Sequence, residues 1–188
     1  KDKQGGLTLR ERFDALFAEI DRRGKLQLLN YLENNHYFTC PSSSQYHGAE
    51  EAGNFKHSIL VTETALKLRD TLSPELPRES VIIAGLFHDL GKAQFLDKPN
   101  YIPNLLKNGK MSDSKPYMTN PDRLPIPHQT VSALILSKFI DLTEDEYYAV
   151  LYHNALYTPD GRVISGRETK LLMLIHWSDM WASRFLEK

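Results

Sequence analysis

The stretch Val81-Ile82-Ile83-Ala84-Gly85-Leu86-Phe87 runs directly into His88-Asp89-Leu90-Gly91-Lys92. A short apolar run rich in β-branched residues fits a buried strand as well as a buried helix, and periodicity alone does not separate the two. The rest of the chain decides. No other run supplies a convincing strand partner, and a lone strand would leave its backbone N–H and C=O groups unsatisfied. The stretch therefore reads as a helix that delivers His88 and Asp89 at its end, with Gly91 suited to the helix exit. An all-α fold follows.

The flanking sequence is helical in the same sense. Thr8 with Glu11 is a capping-box signature, and Leu9, Phe13, Leu16, Phe17 and Ile20 then recur at helical spacing, predicting a helix over 9–23 that Gly24 ends. A short helix over 26–32 precedes the loop Thr39-Cys40-Pro41-Ser42-Ser43-Ser44. Residues 54–72 form a longer amphipathic helix that carries His57 and stops at Ser73-Pro74. Further helices are expected over 127–139, after the Thr143/Glu146 capping box, and over 167–186, with a turn at Pro159-Asp160-Gly161 before the last. Between them, residues 98–127 are rich in Pro, Asn, Ser, Asp, Lys and Gly, with Asn108-Gly109 a tight turn. An aperiodic stretch of roughly 30 residues inside a compact domain reads as a functional lid or insertion.

Composition bounds the function. The chain has 188 residues, 41% hydrophobic and 25% charged, which suits one domain over 1–188 with a single core. Its 23 basic against 24 acidic side chains give no overall positive field of the kind that drives tight, sequence-independent nucleic-acid binding. The one cysteine, Cys40, has no partner for an internal disulfide, and no apolar run approaches the ~20 residues needed to cross a bilayer. A reducing, cytoplasmic setting is expected. The opening Lys1-Asp2-Lys3-Gln4-Gly5-Gly6 has no apolar signal core, and we expect it to be disordered or an artificial leader outside the fold.

Several ionisable residues fall in rows that should face the core. Asp179 shares a helical face with Leu172, Ile175 and Ala182, and His57 lies in a row with Leu60, Val61 and Thr64. His128 leads a row containing Val131 and Ile135, while His153 follows Ala149 and Val150. Singly, each is a satisfied core residue more often than a ligand. Together with His88-Asp89 they would cost several kcal/mol to bury unless each finds a partner, and one or two divalent cations satisfy them at once. Mixed imidazole and carboxylate donors suit Mn, Fe, Co, Ni or Zn, with Mg also admissible.

His57, His88-Asp89 and Asp179 in this order resemble the H…HD…D signature of the HD superfamily of phosphohydrolases. The resemblance spans residues 47–181 and implies an HD-domain helical bundle, here with an irregular lid-like insertion over 98–127. It assigns His57, His88, Asp89 and Asp179 to one metal, and His128 and His153 to a second, weaker ion that Asp89 bridges. Some two-metal families have His-His where this chain has His153-Asn154. The stretch Tyr46-His47-Gly48-Ala49-Glu50-Glu51-Ala52-Gly53-Asn54-Phe55-Lys56-His57 is similar to HD-type 3′–5′ exonucleases, which would set His47 towards the substrate.

The implied chemistry is hydrolysis of a phosphomonoester or phosphoanhydride in a nucleotide-like small molecule, with a cation lowering the pKa of the attacking water. Asp89, Lys92 and His47 are the candidate catalytic residues: Lys92 to neutralise a phosphoryl oxygen and His47 to donate a proton to the leaving oxygen. Lys110, Lys115, Tyr117 and Arg123, with Lys107 and Tyr101, would close over the site, hold phosphates and stack a base. Three alternatives stand beside this reading: a single-stranded nucleic-acid phosphodiesterase or 3′–5′ exonuclease, an HD-type diiron oxygenase, and a non-catalytic metal-containing sensor module. Trp177 and Trp181 are expected to pack in the core, and His36 and His176 to be structural.

Overall fold

The structure is a computed structural model that describes residues 6–187; residues 1–5 of the expected leader lie outside the described residues. Eight helices run in the order α1 (Leu9–Ala18), α2 (Lys25–Asn34), α3 (Gly53–Leu72), α4 (Arg78–Phe87), α5 (His128–Phe139), α6 (Glu144–Tyr152), α7 (Gly161–Ile164) and α8 (Lys170–Trp181). The decisive stretch is helical, as read, and the fold is a helical bundle. Both capping boxes form: Thr8 Oγ1 accepts from Glu11 N–H while Glu11 accepts from Thr8 N–H, and Thr143 and Glu146 do the same.

The helices close around a core that joins Phe13, Phe55, Ile59, Leu86, Phe87, Ile135 and Ile175. Tyr37 is wholly buried there and its hydroxyl donates to Leu86 O at 2.7 Å, which satisfies the one polar atom of the ring and pins the end of α4. Among the described residues, no helix is long and apolar enough to cross a membrane.

Four local expectations change. The first helix ends at Ala18 rather than at residue 23, because the following residues are needed elsewhere: Ile20 is buried, Asp21 N–H donates to Glu79, and Arg22 reaches Glu79 at 3.1 Å and the buried Glu146 at 2.8 Å. The last helix starts at Lys170 rather than 167, since Thr169 is its N-cap and accepts from Leu172 N–H. After Trp181 it widens into a π-helical turn, Ala182–Leu186. Trp177 and Trp181 are 41% and 50% exposed, outside the buried stripe of Leu171, Leu172, Leu174 and Ile175, and Trp181 packs on Phe185 instead.

The fourth change concerns residues 98–127. They are not irregular throughout but contain an antiparallel hairpin, β1 (Tyr101–Pro103) with β2 (Tyr117–Thr119), in which Tyr101 faces Thr119 and Pro103 faces Tyr117. Strands of three residues are too short to show an alternating pattern, and the proline disguises one of them. The hairpin is moored to the bundle by Tyr117 N–H on Ser44 O and by Arg123, whose guanidinium donates to Gly91 O and Ala93 O at 2.9 and 3.0 Å.

Candidate metal centre

Five helices each contribute from an end that faces the same interior point. His57 lies near the start of α3, His88 caps α4 with Asp89 next, His128 opens α5, His153 caps α6, and Asp179 is near the end of α8. Close backbone packing fixes their spacing. A Cβ on Gly85 would lie 2.6 Å from Thr62 Oγ1, so α3 and α4 approach only because residue 85 is glycine. Gly91 has the same role against α5, where a Cβ would fall 2.0 Å from His128 O; its value is this close approach and not a left-handed helix exit. Ser132 ties the two elements by donating to His88 O and accepting from Gly91 N–H, both at 2.8 Å.

The side chains converge on Asp89, whose carboxylate is 2% exposed. Its Oδ2 lies 3.6 Å from His57 Nε2 and 3.4 Å from His88 Nε2, and its Oδ1 lies 3.1 Å from His128 Nε2 and 3.5 Å from His153 Nε2. Asp179 Oδ1 is 3.2 Å from His57 Nε2, and the Nε2 atoms of His57 and His88 are 3.3 Å apart. Three groups, His47/His57/Glu187, His57/His88/Asp179 and His88/Asp89/His153, bring their donor atoms within 4.8 Å of one another; the last two share His88 and meet at Asp89, whereas the first lies on the outer side of the His57 ring.

Hydrogen bonds on the far side of the rings orient them. Gly85 O and Val150 O, each 2.8 Å from Nδ1 of His88 and His153, are carbonyls and can only accept, so those nitrogens carry the proton and Nε2 presents its lone pair inward. His176, taken as structural, braces the same point by donating from Nδ1 to His153 O at 2.7 Å. His57 Nδ1 meets Glu187 Oε1 at 2.9 Å. Asp89 Oδ1, although buried, has no hydrogen-bond donor among the described residues. Inward lone pairs around an orphaned buried carboxylate oxygen are the donor set that a divalent cation fits.

The charges show how the cluster is balanced without one. Burial disfavours a charged His57, yet hydrogen bonds and attraction from Asp179 and Glu187 push it up to about 10. Burial likewise opposes ionised Asp89 and Asp179, but Lys92 and the surrounding imidazoles hold Asp89 well below the usual carboxylate range, and His57 does so for Asp179. Lys92 donates to Asp89 Oδ2 at 2.6 Å, and the attraction of Asp89 outweighs burial to raise its pKa. For His128 burial wins over Asp89 and lowers the pKa.

A cavity of about 570 Å³ opens onto this cluster, lined by Asp89, Asp179, Lys92, His47, Asn154 and Arg184 among others. Lys92 and His47 thus stand at the cavity. Burial and the nearby charge of His57 lower the His47 pKa, which suits it to hydrogen-bonding a substrate atom better than to storing a proton. The proposed lid residues do not line this space: Lys110 and Lys115 are exposed on the hairpin, Tyr117 is half-buried in β2, and Arg123 is committed to the carbonyls of Gly91 and Ala93. Tyr101, in β1, is within electrostatic reach of Lys92 and Asp89.

A family model of the HD domain matches residues 54–175. The chain belongs to the HD domain family. Membership goes with the helical fold seen here, with divalent-metal binding and with phosphohydrolase-type activity. The matched residues of this HD domain include His57, His88, Asp89, His128 and His153, and Asp179 lies just beyond them. Comparison with curated proteins and with solved structures returns no match.

Three residues of the HD domain's centre have no counterpart in the sequence reading. Glu187 reaches His57 from the end of the π-helical turn, which breaks the helical period by which an inward face is recognised. Asn54 donates to Asp89 O at 3.2 Å. Asn154, visible in the sequence only as a departure from His-His, places Nδ2 2.9 Å from His153 Nε2 and 3.2 Å from His128 Nε2.

Proposed function

We propose that this HD domain is a metal-dependent phosphohydrolase that cleaves a phosphomonoester or phosphoanhydride of a nucleotide-like small molecule. The observation that carries the reading is the cavity floored by Asp89 and Asp179, with Lys92 beside them. His57, His88, Asp89 and Asp179 would hold a divalent cation, with His128 and His153 able to hold a second beside Asp89. Such a cation supplies a water of lowered pKa and takes up phosphoryl charge.

The chain's own residues do the rest. Lys92, kept cationic by Asp89, offers its ammonium to a phosphoryl oxygen at the cavity floor. His47 hydrogen-bonds the leaving side of the substrate, and Arg184 and Tyr46 stand on the wall where the remainder of the molecule would lie. A cavity of about 570 Å³ lies within the span of sites that enclose small ligands, roughly 300–1,000 Å³, and the net charge of −1 gives no long-range pull on a polyanionic strand. Both features favour a small molecule over nucleic acid. The experiment is a screen of mononucleotides, cyclic nucleotides and dinucleoside polyphosphates with Mn, Co, Ni, Fe and Mg in turn, beside labelled single-stranded RNA. Release of phosphate or nucleotide from a small molecule is expected; degradation of RNA with inert mononucleotides would overturn the reading in favour of a phosphodiesterase, and oxygen uptake by the iron-loaded protein would overturn it in favour of an oxygenase.

A further inference from the structure

The three imidazoles deepest in the cluster are braced in two different ways. His88 and His153 sit at the C-terminal ends of α4 and α6, where the last carbonyls have no intrahelical partner, and each donates its Nδ1 proton to one of them, Gly85 O or Val150 O. His57 is the fifth residue of α3, where the carbonyls are already engaged by the helix that follows. Its outer nitrogen has to find an acceptor elsewhere, and it finds Glu187 Oε1 at 2.9 Å.

The Glu187 side chain is 4% exposed and its second oxygen, Oε2, has no hydrogen-bond partner among the described residues. Burying a carboxylate with one oxygen unsatisfied is costly unless the other makes a strong, charge-assisted bond. The turn that brings it there is the π-helical segment after α8, which begins three residues beyond Asp179 and packs against α3. Asp179 and Glu187 thus address opposite nitrogens of one ring: Asp179 Oδ1 is 3.2 Å from Nε2 and Glu187 Oε1 is 2.9 Å from Nδ1.

We infer that Glu187 is a positioning residue for the cation site: it holds the His57 proton on Nδ1, turns the Nε2 lone pair inward, and makes His57 a stronger donor than a carbonyl-braced imidazole. This rests on the reading of His57 as a metal ligand. A carboxylate is a stronger acceptor than a backbone carbonyl, and partners of this kind set ring orientation and ligand basicity. The π-helical turn then has a purpose, since a continued α-helix would advance Glu187 along a different face.

Zn²⁺ titration of the cation-stripped full chain against a chromogenic chelator tests this without any substrate. Zn²⁺ binding that Asp89→Ala abolishes establishes the cation site without a substrate, so a later failure to find a phosphorylated substrate leaves the inference standing. Glu187→Ala is expected to weaken binding about 10- to 100-fold, and Glu187→Gln, whose amide oxygen still accepts from Nδ1, to recover most of that loss. Thermal denaturation of the cation-free variants checks that both are folded. Wild-type affinity in Glu187→Ala, or equal losses in Glu187→Ala and Glu187→Gln, would overturn the positioning role; wild type that binds no Zn²⁺ would overturn the cation site and this inference with it.

Discussion

The two oxygens of Asp89 face differently built surroundings. On the Oδ2 side stand His57 and His88, both fully buried, with Asp179 and the ammonium of Lys92. On the Oδ1 side stand His153, buried, and His128, whose side chain is 27% exposed, and the amide of Asn154 lies within 3.2 Å of Nε2 of both rings. The first side has two imidazoles and a second carboxylate converging from three helices. The second has two imidazoles, no further carboxylate within the same short distances among the described residues, and a neutral amide as its neighbour. On the function proposed above, burial and the second carboxylate rank the two sides, the inner one for a tightly held cation and the outer one for a weaker one.

That ranking can be broken in order of expected effect. Asp89→Ala removes the carboxylate common to both sides and should abolish cation content and turnover while far-UV circular dichroism keeps its helical signal; metal analysis showing normal stoichiometry, with an unchanged rate, would contradict the assignment. Replacing His128 or His153 with alanine touches only the outer side. Each should lose about one equivalent of cation and about tenfold or more in rate, with the inner equivalent retained. Unchanged stoichiometry would reduce the centre to a single ion. The smallest effect is expected on the hairpin: Lys110→Ala, Lys115→Ala and Tyr117→Ala lie off the cavity, so steady-state kinetics should show KM rising by no more than about threefold with kcat unchanged, as for lost uniform binding. A tenfold fall in kcat would instead mean that the hairpin closes over the substrate.

The sequence made the inner side legible because helical periodicity places His57 and Asp179 in rows whose apolar members, Leu60, Val61, Leu172 and Ile175, are indeed buried. The helical nature of residues 81–87 was legible for a subtractive reason, the lack of any strand to pair with them. What stayed hidden departs from simple periods. Glu187 follows a π-helical turn, β1 and β2 are three residues each, and the end of α1 is set by Arg22 reaching Glu79 and Glu146 far along the chain. Trp177 and Trp181 misled because large aromatic side chains are taken for core, whereas the stripe of α8 that meets the bundle is already filled by leucine and isoleucine. Arg123 has a use that its charge does not announce: its guanidinium satisfies two backbone carbonyls at the exit of the His-Asp motif.

The central claim is that four side chains from distant parts of the chain hold one divalent cation. Anomalous scattering from Zn²⁺-soaked crystals tests it most directly. The account predicts a zinc peak about 2.0–2.2 Å from Nε2 of His57 and of His88 and from carboxylate oxygens of Asp89 and Asp179. Zinc bound at full occupancy elsewhere, with no peak among these four, would contradict it.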